Sequence, residues 1–204
     1  MSALHVVVIA TPGFSPFHFS VPSMVFDKAM PERGLFEVTV CAEQPGTVVS
    51  DIGISINVEH GPEQLETADI IIVPFWEHPE TRPAPALLDA LRRAWQRGAE
   101  VAGLCLGAYV LAYAGLLDNR RASTHWEFEQ DFARRFPQVR LDSNALYTSD
   151  ERLITSAGTA AGIDCCLNIV REHYGTALAN RVARRMVIPP YREGGQAQFI
   201  EHAV

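Results

Sequence analysis

Cys105 stands in Gly103-Leu104-Cys105-Leu106-Gly107, and a G-x-C-x-G spacing carries the chemistry of a nucleophile turn. Two glycines let the backbone crowd on either side of a central residue, whose side chain projects from a sharp strand-to-helix turn. There the thiol meets free N–H groups and the positive end of a helix dipole, which favour the thiolate and predict a lowered pKa. The Leu106 N–H, with an N–H from the Phe75–Trp76 loop and the bare backbone of Gly107, is expected to form an oxyanion pocket. The competing reading is a small buried cysteine in an apolar run.

A thiol catalyst also needs a base, and usually an acid to orient it. His125, in Ser123-Thr124-His125-Trp126, is the candidate base. His18, in Phe17-His18-Phe19, is a second candidate because it follows the carboxyl end of the first strand. Glu77 and Glu127 are both available to orient an imidazole, and the sequence does not choose between them. His78-Pro79-Glu80 has the H-x-E of zinc deaminases, but no P-C-x-x-C follows. With no C-x-x-C, no zinc spacing, no G-x-G-x-x-G and no P-loop, neither a metal nor a cofactor is expected.

The elements that must hold these residues follow from the apolar pattern. Leu4–Ala10, Asp69–Pro74 and Glu100–Leu104 are short continuous apolar runs, as strands buried on both faces read. Phe36–Cys41 alternates like a strand, and Val48–Val58 reads as a hairpin near an edge. Helices are expected at Pro22–Met30, across Leu87–Trp95 with Gly98 ending it, at Ala108–Ala114, at Phe128–Phe136 and from Ile163 to Tyr174. Ala145–Thr148 and Leu153–Thr155 read as a late strand pair. Strands alternating with helices imply an α/β fold with an open, mostly parallel sheet covered by helices on both faces. Residues 1–188 form that domain, and 189–204, with Pro189, Pro190, Gly194 and Gly195, read as a tail or the start of a linker.

A chain of 204 residues with 48% hydrophobic and 20% charged residues can bury a full core without disulfides or a metal. Four cysteines in apolar or helical settings suit reduced thiols and a cytoplasmic location. The N-terminus lacks a basic region and a cleavage site, so no signal peptide is expected. A net charge of −7 argues against this segment gripping nucleic acid through phosphates. Arg181, Arg184 and Arg185 read as one exposed helix face. Val101–Leu117 carries no charge, but it is shorter than the roughly 20 apolar residues a membrane span needs. Glycines interrupt it, so it reads as strand, turn and helix, and no membrane partner is expected.

The run from Gly103 to Ala112, continuing through Ala114-Gly115-Leu116-Leu117-Asp118 and Ala122-Ser123-Thr124-His125-Trp126, resembles the ThiJ/PfpI superfamily, whose fold is like that of class I glutamine amidotransferases. More narrowly it resembles the N-terminal domain of AraC-type transcription regulators of the GlxA and FtrA kind. Ser156-Ala157-Gly158-Thr159-Ala160-Ala161-Gly162-Ile163-Asp164, Ala179–Arg185 and Gly194-Gly195-Gln196-Ala197-Gln198-Phe199-Ile200 carry that narrower resemblance. It implies a flavodoxin-like domain that senses a small ligand, forms a homodimer, and meets DNA only through a C-terminal helix-turn-helix domain that this chain does not contain. Catalytic relatives such as isonitrile hydratases carry an Asp or Glu after the first strand that hydrogen-bonds the cysteine, and here that position falls on His18. An imidazole there lowers the expectation of hydratase activity, although it could pair with a thiolate and depress the cysteine pKa further. Sensing is the leading expectation, a cysteine-dependent hydratase or amidohydrolase the alternative, and redox sensing at Cys105 a third.

Overall fold

The computed structural model describes residues 2–199. β1 (Leu4–Ala10) is the Val/Ile run expected from the sequence. α1 (Pro16–Ser23) follows, and a π-helical turn at Met24–Lys28 extends it. The helix predicted over Pro22–Met30 thus begins earlier: Pro16 takes the first helical turn, where a fixed φ is favourable and no N–H is missed. Pro22 lies inside α1. It offers no N–H to the His18 carbonyl, and the widened π turn comes directly after it.

β2 (Phe36–Ala42) leads to a hairpin of β3 (Gly46–Val49) and β4 (Ser55–Val58), then to β5 (Ile70–Val73). α2 (Pro85–Arg97) ends at Gly98, whose φ of 119° is open to glycine alone at no steric cost. β6 (Glu100–Leu104) runs into α3 (Gly107–Tyr113). Two short strands, β7 (Arg121–Ala122) and β8 (Arg140–Leu141), flank α4 (Glu129–Arg135). β9 (Tyr147–Asp150) and β10 (Leu153–Ser156) form the expected late pair, and α5 (Ala161–Tyr174) and α6 (Thr176–Arg185) complete the helices.

The main sheet has the order β2-β1-β5-β6-β10-β9, parallel throughout except for the antiparallel edge pair β9–β10. Side chains alternate between its faces. Val7, Ile9, Ile71, Val73 and Val101 pack on one side with Leu87, Leu88 and Leu91 of α2 and with α3. Val6, Val8, Ile70, Ile72 and Leu104 pack on the other with α1, α5 and α6. Each Val, Ile or Leu so buried contributes roughly 1.5–3 kcal/mol, which fixes the strand ends that carry the site. The uncharged Val101–Leu117 stretch is strand, turn and helix, as expected. Among the described residues, no helix is long and apolar enough to cross a membrane.

The tail does not behave as a free linker over its described part. Arg171 donates to the Pro190 carbonyl at 2.9 Å, Arg192 pairs with Asp164, and Gln196 is buried against the domain. Residues 200–204 lie outside the described chain.

Candidate functional site

Sequence and close packing together dictate the turn at Cys105. A Cβ on Gly107 would lie 2.1 Å from the Val73 carbonyl oxygen, and one on Gly103 would lie 2.8 Å from the Ala108 nitrogen. Both glycines are therefore required by backbone atoms. Between them Cys105 holds φ at 51°, in the left-handed region that a side chain rarely adopts. The Thr124 hydroxyl donates to the Cys105 carbonyl at 3.2 Å and pins the turn from below.

The register of β6 against β10 decides what else reaches the sulfur. Leu104 pairs with Ser156, so the Ala157-Gly158-Thr159 turn emerges beside the cysteine turn. Thr159 also has a positive φ, 51°. The N–H groups of Leu106 and Thr159 both favour the Cys105 thiolate. Leu106 and Thr159 thus supply the two backbone N–H groups directed at the sulfur. Trp76 faces elsewhere: its indole donates to the Thr81 carbonyl at 2.9 Å and lines a separate hollow with Pro12, Glu77, His78 and Arg82. The Phe75 ring stacks on His18, with centroids 5.2 Å apart.

His18 is buried, and its two ring nitrogens have distinct partners. Nδ1 lies 2.8 Å from the Ser15 hydroxyl, and Nε2 accepts the Thr159 N–H at 3.1 Å. Nε2 therefore carries no proton. Burial, helped by the neighbouring His125, lowers the His18 pKa to about 4, so the ring is neutral at physiological pH. A neutral acceptor cannot stabilise a thiolate, and the expectation that His18 would depress the cysteine pKa is corrected. The Cys105 pKa moves the other way. Burial pushes it up to about 11, and the two N–H groups only partly oppose that. The expected lowering is corrected as well: removing the thiolate from water outweighs the two N–H donors at the turn.

His125 comes to the same region by a separate route. Ser123 N–H donates to Thr155 Oγ1 at 2.7 Å, and the Ser123 hydroxyl donates to the Ala145 carbonyl at 2.8 Å. The imidazole then lies over Gly158, where a Cβ would come 1.7 Å from His125 Cδ2. Its Nδ1 accepts from the Glu127 N–H at 3.3 Å and lies 3.6 Å from the Glu127 carboxylate. Glu127 is thus the acid beside His125, while Glu77 pairs with His78. Among the described residues, neither imidazole hydrogen-bonds the Cys105 sulfur, and no group of three or more His, Cys, Asp or Glu could hold a metal.

Beside His125 and Thr159 opens a hollow of about 210 Å³, lined on the domain side by Trp126, Leu146 and the 157–161 turn, and on the other by Arg192, Gln196 and Phe199 of the tail. Gly158, Thr159, Arg192 and Gln196 were not legible as site residues from spacing. The one signal was the small-residue run leading into α5.

The model of the DJ-1/PfpI family matches residues 4–172. The chain belongs to that family. DJ-1/PfpI relatives include the HTH-type transcriptional regulator CdhR of Pseudomonas aeruginosa, 34% identical over 169 residues, which cover 83% of this chain and 50% of the relative. The isonitrile hydratase of Pseudomonas putida is 28% identical over 157 residues, covering 72% of this chain and 65% of that enzyme. Among solved DJ-1/PfpI structures, an AraC family transcriptional regulator from Pseudomonas putida superposes with a TM-score of 0.78 at 27% identity, over 90% of this chain and 99% of that one. The chain spans about half the length of CdhR.

Proposed function

We propose that this chain is the ligand-sensing domain of a cytoplasmic, homodimeric AraC-type regulator, whose DNA contacts are made by a C-terminal domain beyond it. The ligand site is the hollow beside His125, Trp126 and Thr159, and Cys105, a neutral thiol, lies next to it behind the Thr159 N–H. One observation carries this reading. The Thr159 N–H, which could stabilise a thiolate, is also bonded to an unprotonated His18 Nε2. A carboxylic acid or a cationic imidazole there would donate toward the sulfur, whereas His18 competes with the sulfur for a donor. The expected ligand is a small amine, an amino-acid derivative or an electrophile. A saturable thermal shift with one of them would support the reading, and a protein indifferent to a broad metabolite panel would sink it.

Homodimerisation is supported by exposed apolar side chains on adjoining elements. Phe17 and Met24 project from α1 and its π turn, and Val49, Ile52 and Ile54 from the hairpin beside it. The hairpin is tied to the end of β1 by the Gly13 N–H bonded to the Val49 carbonyl at 2.8 Å.

A cysteine-dependent hydratase or amidohydrolase is the second reading. Its support is the left-handed Cys105 turn with the Leu106 and Thr159 N–H pair, together with the similarity to an isonitrile hydratase. It predicts turnover or a covalent adduct that vanishes in Cys105→Ser.

A further inference from the structure

The order β2-β1-β5 places a topological switch between β1 and β5. The chain leaves β1 through α1 on one face of the sheet and leaves β5 through α2 on the other. Open α/β sheets bind ligands in the crevice that such a reversal leaves beyond the carboxyl ends of the strands. Here that crevice holds two adjoining hollows. One, of about 290 Å³, is lined by Pro12 just after β1 and by Trp76, Glu77, His78 and Arg82 after β5. The other, of about 200 Å³, lies beside the start of α2, among Ile9 and Cys41 near the ends of β1 and β2 and the side chains of Leu65 and Leu87. Glu43 and Ala84 line both, and joined the two fall in the roughly 300–1,000 Å³ range of small-molecule sites. The Thr11 hydroxyl donates to the Phe75 carbonyl at 3.4 Å and ties the loops after β1 and β5 together.

The cleft is apolar at one end and acidic at the other. Ile9, Cys41, Leu65 and Leu87 are all buried. Burial, with Glu63 nearby, pushes the Cys41 thiol up to about 12, so Cys41 is wall rather than nucleophile. In the other hollow the basic groups are already committed. Arg82 Nη2 donates to the Tyr113 carbonyl at 3.2 Å, and its guanidinium lies over the Tyr113 ring. His78 sits 3.6 Å from both Glu77 and Glu80. Glu77 is itself seated on Gly13, where a Cβ would come 1.5 Å from its Oε2. Among the described residues, Glu43 has neither a hydrogen bond nor an ion pair. The carboxylate shared by both hollows is therefore the charge left for a ligand. α2 begins on Pro85, which has no N–H to offer an anion.

We propose that this cleft is a second ligand site, separate from the hollow beside His125, for a small primary amine with an apolar tail. The tail lies against Ile9, Leu65 and Leu87, and the ammonium lies at Glu43. Burying the tail supplies most of the affinity. Glu43 is exposed, so its charge supplies selectivity more than strength. The site does not depend on the sensing role beside His125, and neither needs the other.

The probes are n-hexylamine, 1-hexanol and hexanoate, titrated at pH 7.5 into the full chain with its methyl groups labelled for NMR. The Ile9, Leu65 and Leu87 methyls report the cleft, and the Leu146 methyls report the hollow beside His125. Hexylamine is expected to shift the cleft methyls saturably and to bind more tightly than hexanol or hexanoate. Its Kd should rise about three- to fivefold in Glu43→Gln, the loss set by one exposed ion pair, with hexanol unaffected. Ala84→Trp, at an exposed position that lines both hollows, should block all three probes while the remaining methyl spectrum stays native. Equal hexylamine affinity in wild type and Glu43→Gln would overturn the amine assignment, and so would tighter binding of hexanoate. No shift at Ile9, Leu65 or Leu87, or shifts that survive Ala84→Trp unchanged, would remove the site. Shifts confined to Leu146 would put the amine beside His125: the second site would fail and the sensing role would stand.

Discussion

Replacing His18 by Gln should flatten the acid destabilisation of this domain. Gln keeps an oxygen acceptor for the Thr159 N–H that His18 Nε2 now accepts at 3.1 Å, and it removes the titrating group. Burial holds the His18 pKa at about 4, against an ordinary value of 6.5. As pH falls below 6.5 the unfolded chain takes up this proton first, and the folded chain follows only near pH 4. His18 therefore makes stability rise with pH across that window: its neutral form is at no disadvantage above 6.5, and stability is lost progressively on acidification. Linkage sets the loss at ~2 kcal/mol between pH 7.5 and pH 5, approaching ~3 kcal/mol near pH 4. His173 works in the opposite sense, because its hydrogen bond to Glu100 raises its pKa. It is common to both proteins and cancels in their difference. Urea unfolding of wild type and His18→Gln at pH 7.5 and 5 gives the comparison. The reasoning predicts that the variant escapes ~2 kcal/mol of the loss suffered by wild type. Equal losses, or a His18 ring titrating near 6.5 by NMR, would refute it.

Cys105 should react slowly even where reagent reaches it. Raising its pKa from 9.0 to about 11 cuts the thiolate fraction roughly 100-fold, and the gain in nucleophilicity returns about tenfold. Alkylation at pH 7.5 is expected to be about tenfold slower than for a free thiol before burial is counted, and a rate profile rising near pH 6 would contradict this. Gly107→Ala should cost ~3 kcal/mol or more in urea unfolding, because its Cβ meets the Val73 backbone; near-native stability would show that the turn can relax. Gly158→Ala meets only the His125 ring, so it should fold with a Tm within a few degrees of wild type while displacing that imidazole, which His125 ring resonances by NMR would report. Ile52→Glu should weaken self-association in sedimentation without changing the circular dichroism, and an unaltered dimer would place the interface elsewhere.

The strands and the cysteine turn were legible because their cause is local. A Val/Ile run has few alternatives to a buried strand, and G-x-C-x-G is a backbone-crowding pattern visible within five residues. The partners of Cys105 were not legible, because the β6–β10 register sets them. Leu104 opposite Ser156 brings Thr159 to the sulfur, and nothing in the spacing of those two segments announces that they are neighbours. The sign of the thiol shift was misread for a related reason. Helix dipole and N–H donors can be inferred from the motif, whereas the burial that outweighs them depends on everything packed around it. Pro22 misled the placement of α1 because its penalty is met by a widened turn. The Gly/Pro-rich tail has the composition of a linker, and only the fold shows that Gln196 docks it.

The account's central claim, a sensing site beside His125 with a neutral Cys105 next to it, is tested most directly by one ligand screen. Thermal unfolding of wild type and Gly158→Ala is measured against a panel of small amines, amino-acid derivatives and electrophiles, with product formation followed in the same wells. The claim predicts saturable stabilisation of wild type by a panel member, worth about 2.7 kcal/mol at 100 times its Kd, lost in Gly158→Ala and unaccompanied by product. Product formed by wild type and abolished in Cys105→Ser would contradict it.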